Sequence, residues 1–129
     1  MPRNTAASFK KGNAIEKALQ AYLVLIGMAQ RRQITTYKEI GTILGYEGGM
    51  NVMGRILAPI VAWCEYHGLP PLAAIVVNST AGFAKAELIY GKPEEWAAIV
   101  MRVFNEPWYN YYPPSVEDLA AAYKSWKRN

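Results

Sequence analysis

The sequence predicts an α+β, mainly helical fold: a helix-turn-helix with a two-stranded β-hairpin wing, extended by C-terminal helices. Three observations point to it. A short helical segment with clear start and stop signals lies between two longer amphipathic ones. A β-branched run, LAAIVVN at 72–78, leads into turn residues and a second strand-like run, FAKAELIY at 83–90. Finally, 129 residues with 52% hydrophobic and 19% charged side chains suit one ordinary globular core and are too few for two independent ones.

Residues 1–12 are small, polar and basic, which predicts a flexible basic N-terminus and leaves 13–129 as a single domain. Asn13 is a good N-cap, and the following run to Gln30 repeats Ile15, Leu19, Tyr22, Leu23 and Ile26 at helical spacing. Arg31 and Arg32 then suit the last turn, where cations complement the helix dipole. Thr36 and Glu39 have the spacing of a capping box. Ile40, Ile43 and Leu44 supply a buried face, and Gly45 suits the left-handed residue that ends a helix.

Glu47-Gly48-Gly49 make the turn, and a third helix starts at Met50 or Asn51 with Val52, Ile56, Ile60 and Trp63 on one face. Pro59 predicts a kink within it and Gly68 its end. The wing follows, with Ser79-Thr80-Ala81-Gly82 between its strands. Pro93, Glu94 and Glu95 open a fourth helix whose inner face is Trp96, Ile99, Val100, Val103 and Phe104. Ser115 with Asp118 caps the last helix, which turns Leu119, Ala122, Tyr123 and Trp126 inward. Between these two helices, residues 105–114 hold four aromatics and three prolines, and the prolines exclude helix over much of the stretch.

Charge is unevenly spread. Residues 1–55 carry eight Lys or Arg against three Glu, a balance of +5, whereas residues 56–129 carry six against seven acids, a balance of −1. A phosphate-binding surface therefore belongs to the first half of the chain. A single cysteine, Cys64, allows no intramolecular disulfide. The N-terminus has no apolar signal-peptide core, and the apolar run at 18–29 falls short of the roughly 20 residues a membrane span needs. Together these features predict a cytoplasmic protein with no membrane association.

The run ITTYKEIGTILGYEGGMNVMG, from Ile34 to Gly54, resembles the DNA-binding domain of the alkylguanine-DNA alkyltransferases and their alkyltransferase-like relatives. Thr36-Tyr37 stands for that family's Thr- or Ser-Tyr pair, Leu44-Gly45 for its Leu-Gly, and Val52-Met53-Gly54 for the Ala-Val-Gly of its recognition helix. The resemblance implies a winged helix that binds duplex DNA. It does not extend to the reaction. Where the family has its catalytic Pro-Cys-His-Arg motif, this chain reads Pro71-Leu72-Ala73-Ala74, and the family's base-flipping arginine falls near Asn51. The segments CEYHGLPPLAAIVVNSTAG and FNEPWYNYYPPSVEDLAAAY also resemble small phage and mobile-element proteins, which implies a setting and no particular reaction.

No group of residues has the pattern of a catalytic, cofactor or metal site. Cys64 and His67 share a helical face, but two ligands are too few for a structural zinc. Glu94-Glu95 and Glu117-Asp118 are explained by helix starts, and Gly48-Gly49 lacks the Lys-Ser/Thr of a phosphate loop. The expected function is a non-enzymatic DNA-binding module. Its expected contacts are Arg31, Arg32, Tyr37, Lys38, Asn51, Arg55 and, on the wing, Lys85. The alternative is a protein–protein interaction module acting on a host or phage protein through Trp108, Tyr109, Tyr111 and Tyr112.

Overall fold

The fold starts from a reciprocal cap. Asn13 Oδ1 accepts the backbone N–H of Glu16 at 2.9 Å, and the Glu16 carboxylate accepts that of Asn13 at 2.7 Å, which launches helix α1, Ala14–Gln30. This is a computed structural model, and it describes residues 13–46, 50–78 and 91–128, without the side chains of Met50, Asn51 and Arg128. After α1 come β1 (Thr35–Thr36), α2 (Tyr37–Ile43), α3 (Met50–Tyr66), a 3-10 turn (Leu72–Ile75) and β2 (Val76–Val77). Helix α4 (Pro93–Asn105), a 3-10 turn (Trp108–Asn110) and α5 (Val116–Arg128) complete the described chain.

Helix α1 buries Ala18, Ala21, Tyr22, Leu25, Ile26 and Ala29. Small residues face inward here because α1 is packed by α3, α4, α5 and the 3-10 turn together. Leu23, expected inside, is exposed, as is Ile43 of α2. The helix ends in a left-handed cap: Arg32 has φ 58, and the N–H of Gln33 reaches the carbonyl of Met28 at 2.9 Å. Arg31 and Arg32 therefore lie beyond the last turn of α1, not within it. At Thr36 the cap works in one direction. Its hydroxyl accepts the N–H of Glu39, while the Glu39 carboxylate accepts a hydrogen bond from the buried Thr35 hydroxyl. Helix α5 has the full reciprocal cap between Ser115 and Asp118.

The expected hairpin wing requires correction. Residues 72–75 form a 3-10 turn, and Val76–Val77 pair in parallel with Thr35–Thr36, in the register Thr35↔Val76 and Thr36↔Val77. A hairpin joins antiparallel neighbours through a tight turn. Here the chain passes through α2 and α3 between the paired strands, so it returns in the direction of β1. The intended return strand at 83–90 lies outside the described residues.

Helix α3 is the hub, packed mainly against α1 and α5. It buries Met53, Ile56, Leu57, Ile60, Trp63 and Cys64, and runs on through the buried Pro59. Tyr22 is fully buried, edge-on to Trp63 at 5.4 Å and to Trp108 at 6.4 Å between ring centroids. Such aromatic pairs contribute about 0.5–1.5 kcal/mol beyond their burial.

Candidate functional site

Helices α2 and α3 meet at Gly41, where a Cβ would make only ordinary van der Waals contacts. A Cβ there would stand 3.6 Å from Met53 Sδ and 3.5 Å from the carbonyl oxygen of Tyr46. Gly45 turns the chain away from α2 at φ +86. Lys17, which the sequence pattern did not single out, donates to the carbonyl oxygen of Leu44 at 2.9 Å and lies over the Tyr46 ring at 5.7 Å. A cation there satisfies a free carbonyl at the negative end of α2. Its signal in the sequence was a lysine beside the small inward-facing Ala18.

The start of α3 presents Gly54 and Arg55 to solvent, and a Cβ on Gly54 would meet nothing within 4 Å. Met53 points inward and Val52 is half-buried. Lys38 is exposed on α2, and Tyr37 beside it is half-buried, with burial raising its phenol pKa. Tyr37 and Gly54 line one groove of about 550 Å³, together with Ala58 and Val61 of α3, Pro71, and Trp126 of α5. Lys38 and Arg55, next in sequence to these two lining residues, are both exposed.

The rest of the predicted basic set divides. Arg31 is exposed. Arg32 is committed within the fold: its guanidinium donates to Asn105 Oδ1 at 3.0 Å and lies 5.3 Å from the centroid of Phe104, tying the end of α1 to the end of α4. Lys85 and the side chain of Asn51 lie outside the described residues.

The aromatic stretch divides as well. Trp108 is core, 1% exposed, and its indole N–H donates to the carbonyl oxygen of Val103 at 2.8 Å. Tyr111 is half-buried and its hydroxyl donates to the Glu106 carboxylate, which raises the phenol pKa. Tyr109 and Tyr112 are exposed. Trp108 is thus withdrawn from any contact surface, because the 3-10 turn at its position points it beneath Tyr22.

A second groove, of about 520 Å³, joins this stretch to the end of α3 and the outer face of α5. Trp63, Tyr66, His67, Tyr112 and Asp118 are among its lining residues. The His67 ring packs between Trp63, at 4.8 Å, and Tyr66, at 5.0 Å. Hydrogen bonds from Ser115 are the main cause holding the Asp118 carboxyl below its ordinary pKa, so it stays ionised. Cys64 is buried, and burial pushes its thiol up to about 11, which leaves little nucleophilic thiolate at neutral pH. Among the described residues, no three His, Cys, Asp or Glu side chains come together to hold a metal ion. None of the described helices is long and apolar enough to cross a membrane.

Comparison with protein-family models, with curated proteins and with solved structures finds no match to this chain.

Proposed function

We propose that this chain is a DNA-binding helix-turn-helix module without enzymatic activity, in which the start of α3 approaches the duplex and α2 braces it from the phosphate side. The observation that carries this reading is the exposure of Gly54 and Arg55 on the first turns of α3 and of Lys38 at the start of α2, two helices that pack against each other. Gly54 leaves the helix surface open for close approach. Arg55 has the donor geometry for a phosphate or a guanine edge, and Lys38 suits a phosphate. The +5 balance of residues 1–55 adds a diffuse attraction of the same sign. Arg32 takes no part, because its guanidinium is engaged by α4.

Fluorescence anisotropy of a labelled duplex, titrated with the protein at several salt concentrations, tests the proposal. Affinity falls steeply with salt, because each neutralised phosphate releases counterions. Lys38→Ala weakens binding uniformly across duplex sequences and lowers the logarithmic salt slope by about 1. Arg55→Ala weakens binding and, where Arg55 reads a base, also flattens sequence preference. No binding at about 50 mM salt ends this reading.

A further inference from the structure

The positive balance of residues 1–55 is concentrated ahead of α1. Residues 1–12 hold Arg3, Lys10 and Lys11 and no acid, a balance of +3, whereas residues 13–55 hold five Lys or Arg against three Glu, a balance of +2. Two of those five cations are engaged within the fold: Lys17 donates to the carbonyl oxygen of Leu44 and Arg32 to Asn105 Oδ1. Most of the excess charge of this half therefore precedes Asn13.

The described residues fix where that charge joins the fold. The backbone N–H of Lys17 donates to the carbonyl oxygen of Asn13 at 2.9 Å, so Asn13 stands one turn before Lys17. The Lys17 ammonium reaches the carbonyl oxygen of Leu44 at 2.9 Å and lies 5.7 Å from the centroid of the Tyr46 ring. The opening turn of α1 thus stands beside the end of α2. From Tyr46 the chain advances to Met50, where α3 starts, a span of at most about 14 Å. A run as long as residues 1–12 reaches about 40 Å when extended, enough to pass the start of α3 and meet the adjoining groove of a duplex.

We infer that residues 1–12 make a second DNA contact, with Arg3 in the minor groove next to the major-groove seat of α3 and with Lys10 and Lys11 on the flanking phosphates; this rests on the helix-turn-helix reading above.

The composition selects the minor groove. Between Arg3 and Phe9, the run from Asn4 to Ser8 has only short side chains. A groove about 6 Å wide admits such a run and excludes a helix. The concentrated negative potential of narrow A·T tracts favours a guanidinium there, and the guanine 2-amino group obstructs it in G·C pairs. Lys10 and Lys11 suit phosphates as point charges.

The test measures fluorescence anisotropy of the full chain on duplexes built of A·T, G·C or inosine·cytosine pairs. Inosine lacks the 2-amino group, so its pair with cytosine presents the minor groove of A·T and the major-groove edge of G·C. The chain is expected to bind the inosine duplex about tenfold more tightly than the G·C duplex, and Arg3→Ala to abolish that difference. Lys10→Ala combined with Lys11→Ala lowers the logarithmic salt slope by about 2 on every duplex. The inference is overturned, with the α3 reading left standing, by equal wild-type affinity for the inosine and G·C duplexes, by an unchanged ratio in Arg3→Ala, or by an unchanged salt slope in the double variant. Absence of binding to every duplex at about 50 mM salt overturns both.

Discussion

Trp108 and Tyr112 belong to one short aromatic stretch and have opposite fates. Trp108 is 1% exposed and Tyr112 is 95% exposed. The 3-10 turn at Trp108–Asn110 folds the indole under Tyr22 and brings its N–H to the carbonyl of Val103. Tyr112 follows in non-helical chain, next to Pro113-Pro114, and projects over the groove between α3 and α5. Both rings carry similar apolar surface. What separates them is the backbone turn, which brings one polar edge to an acceptor in α4 and leaves the other in water. Density of aromatics therefore does not distinguish core from contact surface; for these two rings the course of the backbone does.

Three measurements sharpen or break this comparison. The largest effect is expected at Trp108. Trp108→Ala removes a buried ring and its hydrogen bond and leaves a cavity beside Tyr22, and urea denaturation should show a loss of about 3–5 kcal/mol. A loss below about 1 kcal/mol would mean that the 3-10 turn does not bury this indole.

The second concerns Tyr22. Its hydroxyl has no hydrogen-bond partner among the described residues, and burial is the main cause pushing its pKa up to about 12. Tyr22→Phe removes that unsatisfied group and keeps the ring, so stability should hold or rise by up to about 1 kcal/mol. The raised values also fix an alkaline trend. Cys64 moves from 9.0 to about 11 and Tyr22 from 10.0 to about 12, so the unfolded chain loses these protons first. Their contribution is complete below pH 9, where neither group ionises in either state. It is lost as pH rises from 9.0 through about 12, the thiol accounting for the lower part of that window and the phenol for the upper. Chemical denaturation at a series of alkaline pH values should show this decline, with a shallower upper part in Tyr22→Phe. An identical slope in the variant would remove Tyr22 as a cause.

The smallest effect belongs to Tyr112. Tyr112→Ala should change the unfolding free energy by no more than about 0.5 kcal/mol in the same urea experiment. A loss approaching that of Trp108→Ala would place the ring in the core and abolish the distinction.

Several features of the helices were legible in the sequence because the forces that set them act within a few residues. Asn13, Ser115 with Asp118, and Pro93 with the acids behind it mark the starts of α1, α5 and α4 through backbone groups no more than one turn away. Gly45 and Gly68, at φ +86 and +68, mark the ends of α2 and α3 for the same local reason. The short helix between two long ones was therefore readable, as was the exposure of Lys38 and Arg55 on polar faces.

Long-range contact alone decided the rest. Val76–Val77 has strand-forming residues, but local preference says nothing of its partner, and the choice of Thr35–Thr36 depends on how α2 and α3 return the chain. Arg32 looks like a free surface cation until Asn105, 73 positions away, accepts its hydrogen bond. The second groove likewise exists only where α3, residues 112–114 and α5 converge. The sequence by itself determined where helices begin and which residues are able to be apolar or charged, because capping and periodicity are local. Tertiary structure decided strand direction, the engagement of Arg32 and the split between Trp108 and Tyr112, because each depends on a partner that only packing brings near.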